Sequence, residues 1–304
     1  MRPLYVFAGI APAILALSVS GCGSSRQAAW ETAEASTEAG TAEGQSRFQS
    51  LVEEAENAWE KRDDEQQLRT AIEKYERAVE VDSSKHEAWT ALARAHYFLA
   101  DCHLRFDDTR QDAMLGTFED STKAAEQALI QISPEFREKM QAGAKMEDTV
   151  GLLDERAVGP LYWRSSALGK WASEKGFATL LSYKDEIREV MTHVLELNPT
   201  FYFGGPHRYF GAFYARAPSF AGGDLDRSRD HFEKSLQMEP NYFATHTLYA
   251  ADWAVKAQDR EAFDEHIEYV LTNDPDVLPP VAPENRCEQK KAEELKEKAF
   301  ELFE

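Results

Sequence analysis

The spacing of apolar residues predicts an all-α chain. From residue 47 onward, apolar side chains recur every three or four positions, as in Ala71, Tyr75 and Ala78. This period places them on one face of a helix, whereas a strand would alternate apolar and polar residues. Alternating runs are scarce. We therefore expect helices almost throughout residues 47–304.

The helices are expected in pairs that resemble tetratricopeptide units of about 34 residues. The clearest first helix has large, large, small and aromatic residues in the expected order: His246, Tyr249, Ala250 and Trp253. In the preceding pair, Gly211 is predicted to let two helix backbones come into contact, because it has no side chain. Prolines follow the second helices of three pairs, at Pro199, Pro240 and Pro275. The pattern predicts a tetratricopeptide-like helical-repeat array with degenerate repeats.

Two further segments are predicted to shape this array. Residues 283–304 begin with proline and place apolar residues on one face, which indicates the C-terminal capping helix that such arrays need. The AGGD sequence at 221–224 is predicted to be a structural turn. Gly222 and Gly223 tolerate positive φ, and Asp224 is placed to cap the next helix.

Residues 1–21 are predicted to be a lipoprotein signal peptide. A positively charged start precedes an apolar run at 4–19, shorter than the roughly 20 residues of a spanning helix. The sequence VSGC at 19–22 resembles the lipobox of bacterial lipoproteins, so Cys22 is predicted to be lipidated and to begin the mature chain. The alternative is a chance cysteine after an ordinary signal. Gly23, by the same resemblance, favours a periplasm-facing anchor in the outer membrane.

Residues 22–46 are predicted to be a disordered tether between the lipidated cysteine and the helical domain at 47–304. This stretch consists mainly of Gly, Ser, Ala, Thr and Glu, and Trp30 is its single aromatic residue. Such a segment buries too little apolar surface to offset the entropy of ordering it. The lipid is then the expected membrane attachment.

The formal net charge of −20 excludes nucleic acid as an expected partner, because an acidic surface repels phosphate backbones. Beyond the predicted lipidation site, only Cys102 and Cys287 remain. In an oxidising compartment these two residues either pair or stay free, and the sequence leaves both alternatives open.

The sequence contains no pattern typical of catalysis. The Gly-x-Ser-x-Gly and His-Glu-x-x-His motifs are missing, as are paired cysteines at metal-ligand spacing. His207 and His246 occupy positions where the repeat expects a large core residue. We therefore predict no enzyme, no cofactor and no metal site.

Four sequence blocks stand out along the helical domain: PLYWRSSALGKWA (160–172), GGPHRYFGAFYARAP (204–218), AGGDLDRSRDHFEKSL (221–236) and PENRCEQKKAEELKEKAFELF (283–303). Together they resemble the T-component family of TRAP transporters, over about residues 50–304. The resemblance implies a periplasmic lipoprotein that binds the substrate-binding P-component of an ATP-independent uptake system, commonly for organic acids or for apolar ligands. It also implies a homotrimer with a pore through each subunit.

Five residues are predicted to line a ligand groove, because certain positions of each first helix face the concave side of a tetratricopeptide array. They are Arg94, Tyr97, Arg164, Trp171 and Arg208. Arginines beside aromatic rings suit a carboxylate with an apolar tail. The alternative is that these arginines pair with neighbouring carboxylates and only hold helices together.

Two functions remain open at this point. The first is a transporter accessory protein that binds a periplasmic receptor and its ligand. The second is a structural tetratricopeptide lipoprotein that scaffolds envelope assembly.

Overall fold

The computed structural model describes residues 26–31 and 40–303, and these residues form helices and connecting turns without any strand. The prediction of an all-α fold is confirmed. Across these two ranges, no helix combines the length and the apolar character that crossing a membrane requires.

Consecutive helices pack against each other in pairs along the chain, and each pair also contacts the next. Two short helices, Pro134–Gln141 and Met146–Thr149, separate the second pair from the third, and a π-helical turn at Tyr249–Ala254 interrupts the first helix of the last pair. The bounds are α1 Ala42–Trp59, α2 Glu65–Val81, α3 His86–Cys102, α4 Gln111–Ile132, α5 Pro134–Gln141, α6 Met146–Thr149, α7 Val158–Glu174, α8 Phe177–Leu197, α9 Phe201–Arg216, α10 Leu225–Met238, α11 Phe243–Leu248, α12 Val255–Ala257 and α13 Arg260–Thr272.

Helix ends follow local sequence signals. The carboxylates of Asp64, Asp224 and Asp259 accept hydrogen bonds from backbone N–H groups in the first turns of α2, α10 and α13. The second helices α8, α10 and α13 end two or three residues before a proline, because the residue before proline disfavours the helical conformation. The proline stops predicted from the sequence are therefore confirmed.

Glycines permit the close approach of α9 and α10. A Cβ atom on Gly211 would lie 2.7 Å from the ring of Phe232, so any other residue would push the two helices apart. In the turn between them, Gly222 has a φ of +97°. Gly223 is needed for a different reason from the predicted positive φ. A Cβ atom added at this position would lie 1.8 Å from the Ala217 carbonyl oxygen.

The C-terminal helix α14 (Ala282–Glu297), followed by the short α15 (Ala299–Leu302), contacts both ends of the array. It packs against α11 and α13. It also reaches α3 through a disulfide between Cys102 and Cys287, with the two Cα atoms 5.5 Å apart. Arg62 Nη2 lies 2.6 Å from Glu284 Oε2. The helix thus joins the last pair to the first two pairs, and the two cysteines are bonded.

The helical body begins earlier than residue 47, because α1 starts at Ala42. Within the predicted tether, residues 29–31 form a 3-10 turn, and Ala29 and Trp30 are buried. The predicted signal peptide and Cys22 lie outside the described residues.

Candidate ligand cavity

A cavity of about 430 Å³ lies between α3, α7, α8, α9, α11 and α14. Its volume falls within the range of small-molecule sites, roughly 300–1,000 Å³. Phe177 and Leu181 line the cavity and are 63% and 42% exposed, so the cavity opens to solvent beside them.

Aromatic side chains form much of the cavity wall. Tyr97 and Trp163 contact each other with ring centroids 5.4 Å apart, and Trp163 meets Tyr202 at 4.8 Å. Rings of this kind offer a large apolar surface with few rotatable bonds. The aromatic lining residues are Tyr97, Phe98, Tyr162, Trp163, Phe177, Tyr202, Tyr209, Phe213 and Tyr242.

The charges around the cavity oppose the charge of the whole chain. Eight Lys or Arg side chains and four Asp or Glu side chains line it, although the chain has a net charge of −20. The local excess of cations favours an anionic ligand over a cationic one.

Several of these charges neutralise one another. Lys170 Nζ lies 2.9 Å from one oxygen of Asp101, and Lys291 Nζ lies 2.6 Å from the other. Burial would raise the pKa of Asp101, but the two lysines outweigh it and hold that pKa well below its usual range. Arg216 pairs in the same way with Asp252, at 2.8 Å.

Arg208 stabilises a strained turn at the start of α9. Its guanidinium donates to the Tyr162 hydroxyl at 3.0 Å and to the carbonyl oxygens of Tyr202 and Phe203 at 3.2 and 3.1 Å. Tyr202 and Phe203 have φ values of 45° and 59°, a left-handed conformation that costs non-glycine residues of order 1–3 kcal/mol each. Arg208 lines the cavity, and much of its hydrogen-bonding capacity is used within the protein.

Arg94 also lines the cavity, and its guanidinium is not neutralised. Its guanidinium carbon lies 4.2 Å from the centroid of the Trp59 ring. Its Nε is buried without a hydrogen-bond partner, and among residues 26–31 and 40–303 no carboxylate lies within ion-pair distance of it. Tyr97, one helical turn further along α3, lines the cavity beside it.

The structure places Arg164 and Trp171 away from the cavity. Arg164 forms ion pairs with Glu126 at 3.1 Å and Glu186 at 2.7 Å, and Trp171 is a core residue with 2% exposure. On α7 the cavity is lined instead by residues 162, 163, 165, 166, 169, 170 and 173. At 100° per residue, Arg164 and Trp171 project from the opposite face. The predicted alignment placed the wrong face of α7 toward the groove.

Sequence reasoning missed the contribution of α14. Glu284, Glu288 and Lys291 line the cavity, and their spacing of four and three residues places them on one helical face. This spacing is present in the sequence, but residues 283–304 were predicted only to cap the array. The bond from Cys287 to Cys102 helps to hold this face at the cavity.

Residues 116–303 match a family model described as TRAP transporter T-component. The chain belongs to this family. It is therefore an accessory T-component of a TRAP transporter, as the sequence blocks predicted. No protein of curated function is similar enough in sequence to match this T-component.

Proposed function

We propose that this T-component is a lipid-anchored, periplasm-facing protein that binds the substrate-binding P-component of its transporter. Its cavity holds an organic acid with an apolar portion. The outer membrane is the proposed site of the anchor, through Cys22. A homotrimer, implied by the family resemblance, is part of the same proposal.

The free guanidinium of Arg94 carries the ligand proposal. Arg94 is half-buried, lines the cavity and has no carboxylate partner among residues 26–31 and 40–303, so the part of its guanidinium that faces the cavity is available to a ligand. A carboxylate accepts two parallel hydrogen bonds from a guanidinium. A carboxylate ligand would therefore satisfy Arg94 without displacing an existing ion pair.

The neighbouring rings determine what else the ligand contains. The cavity wall that includes Arg94 is largely aromatic, and the Trp163 ring contacts both Tyr97 and Tyr202. These rings bury apolar surface favourably at about 25 cal/mol per Å². The ligand class that fits is a monocarboxylate with an apolar chain or ring.

The cavity opening supports the proposed docking of the P-component. Phe177 and Leu181 expose apolar surface at the opening, and Phe220 near it is 87% exposed. Exposed apolar side chains grouped around a cavity are typical of protein interaction surfaces. A receptor docked there would exchange the ligand without passing it through water.

Association with the receptor tests the proposal. The acylated chain in detergent is mixed with the P-component encoded beside its gene, and the sedimentation velocity of both is measured at physiological salt. We expect a complex, and we expect Phe177→Ser/Leu181→Ser to weaken it at least about tenfold. The same measurement gives the number of T-component copies per particle.

Failure to associate at high micromolar concentration, with and without candidate organic acids, would contradict the proposal. It would favour the alternative of a structural lipoprotein that scaffolds envelope assembly. Arg77→Gln, which changes an arginine on the exposed surface of α2, serves as the control variant and should leave association unchanged.

A further inference from the structure

The segment formed by residues 26–31, which we name the N-terminal strap, lies against the helical body. Arg26 forms an ion pair with Glu126, which is fully buried in α4. The backbone N–H of Ala29 donates a hydrogen bond of 2.8 Å to the second oxygen of the same carboxylate. Both oxygens of Glu126 thus contact the strap.

Trp30 adds an apolar contact to these polar ones. Its ring meets the ring of Phe136 edge to face, with centroids 6.2 Å apart, and Phe136 is fully buried in α5. The guanidinium carbon of Arg164 lies 5.3 Å from the Trp30 ring centroid. The strap therefore occupies a site built from α4, α5 and α7.

Charges at this site balance when the strap is present. Arg26 and Arg164 are the two cations, and Glu126 and Glu186 are the two carboxylates. Without the strap, Glu126 would retain only Arg164 and would lose the N–H donor of Ala29. A buried carboxylate needs such partners, so the site is complete only with the strap in place.

The strap and the cavity lie on opposite sides of α7. Arg164 contacts the strap, whereas Trp163, Ser166 and Lys170 line the cavity. A bilayer held on the strap side would therefore lie across α7 from the cavity.

We propose that the strap fixes the α4, α5 and α7 face of the domain toward the bilayer and leaves the cavity facing away from it. This inference rests on the proposed lipidation of Cys22. Cys22 and Arg26 are four positions apart in the sequence, and a chain of that length spans at most about 14 Å. A flexible tether extending to residue 46 would instead have an average end-to-end distance of roughly 27 Å, and the domain could then adopt any orientation relative to the bilayer.

Two insertions distinguish the short link from the long tether. Ten Gly/Ser residues are inserted either between Cys22 and Arg26 or between residues 32 and 39, in the acylated chain. Neutron reflectometry on a supported zwitterionic bilayer then gives the gap between the headgroups and the protein layer. We expect the first insertion to widen the gap by up to about 17 Å and the second to leave it unchanged. Equal widening by both insertions would overturn the proposal.

Hydrogen exchange of the peptide that contains residues 26–31 tests the docking itself. We expect exchange in the full chain to be at least about tenfold slower than in Trp30→Ala or Glu126→Gln. Asp112→Asn, which neutralises an exposed carboxylate on the same helix, is the matched control and should retain the protection. Trp30→Ala changes only the strap, so it stays informative if Glu126→Gln fails to fold.

The outcomes separate this proposal from the proposed anchoring. If the N-terminal peptide carries no lipid by mass spectrometry, the anchoring and the orientation both fail. If the chain is acylated and associates with the P-component, but the strap exchanges freely, only the orientation fails.

Discussion

Two arginines on first helices of the array both lie beside a tryptophan but differ in their ion-pair partners. Arg94 on α3 stacks on Trp59 at 4.2 Å, and Arg164 on α7 lies 5.3 Å from Trp30. Arg164 has two carboxylate partners, Glu126 and Glu186. Arg94 has no ion-pair partner within the described ranges 26–31 and 40–303.

The difference shows that an arginine beside a tryptophan does not by itself mark a ligand site. The site around Arg164 is filled by the strap, and the site around Arg94 is an open cavity. The structure pairs Arg164 with neighbouring carboxylates, whereas the ligand interpretation of Arg94 is our proposal. Four predictions test this contrast, from the largest expected effect to the smallest.

Glu126→Ala should destabilise the strap side by about 3–5 kcal/mol, because it leaves two buried arginines without their shared carboxylate. Urea unfolding followed by circular dichroism measures the change. Asp112→Ala on the same helix should change the free energy of unfolding by less than about 0.5 kcal/mol. Equal changes in the free energy of unfolding for the two variants would show that the buried ion pairs of Glu126 do not stabilise the fold.

A disulfide joins α3 to α14 on the cavity side of α7. Removing the Cys102–Cys287 bond should lower the free energy of unfolding by about 2–4 kcal/mol. Cys102→Ser/Cys287→Ser is compared with the native chain by urea unfolding. The strap should keep its slow hydrogen exchange, since neither cysteine contacts it. Loss of strap protection in this variant would mean that the two sides of α7 are not independent.

Acid should destabilise the last helix pair, formed by α11 to α13. Burial lowers the pKa of His246 and His266 to about 4, and their Nδ1 atoms lie 2.8 Å apart. An unfolded histidine titrates near 6.5. The folded state therefore binds fewer protons between these values, and stability falls as the pH decreases from about 6.5 to about 4.

For this histidine pair we expect a loss of up to about 6 kcal/mol in the free energy of unfolding across that interval, about 3 kcal/mol from each histidine. The measurement is urea unfolding at a series of pH values. His266→Asn should reduce the slope, whereas His86→Gln, which changes a histidine outside the pair, should not. An identical pH dependence in the native chain and in His266→Asn would contradict the assignment.

Arg94→Gln should change the free energy of unfolding by less than about 1 kcal/mol. It removes a cation–π contact worth about 0.5–1 kcal/mol, and it also removes a buried, unpaired Nε. Arg164→Gln, measured in the same way, should cost several times more. Comparable losses in the two variants would mean that Arg94 has a structural partner like that of Arg164.

The sequence allowed prediction of the helices that carry strong local signals. Gly211, Asp224 and the prolines after the second helices act within one or two turns, and the structure confirms each of them. The apolar spacing of Ala71, Tyr75 and Ala78 also predicted helix α2. Helix α1, whose partner α2 was recognised, was not assigned.

The cavity was predicted only in part because its lining depends on long-range contacts. Arg94, Tyr97 and Arg208 lie in it, whereas Arg164 and Trp171 do not. Arg164 and Trp171 project from α7 about half a turn away from its cavity-lining residues. A degenerate repeat does not determine which face of a helix points toward the groove. The strap was missed for a related reason. Its stabilising partners, Glu126 and Phe136, lie about 100 residues away in sequence.

Calorimetric titration with octanoate and with 1-octanol tests the central claim most directly. The account predicts that the native chain binds octanoate more tightly than the alcohol. It also predicts that Arg94→Gln loses at least about tenfold in octanoate affinity, while Arg77→Gln retains it. Equal affinity of the native chain and Arg94→Gln for octanoate would contradict the assignment of Arg94 as the residue that binds the ligand carboxylate.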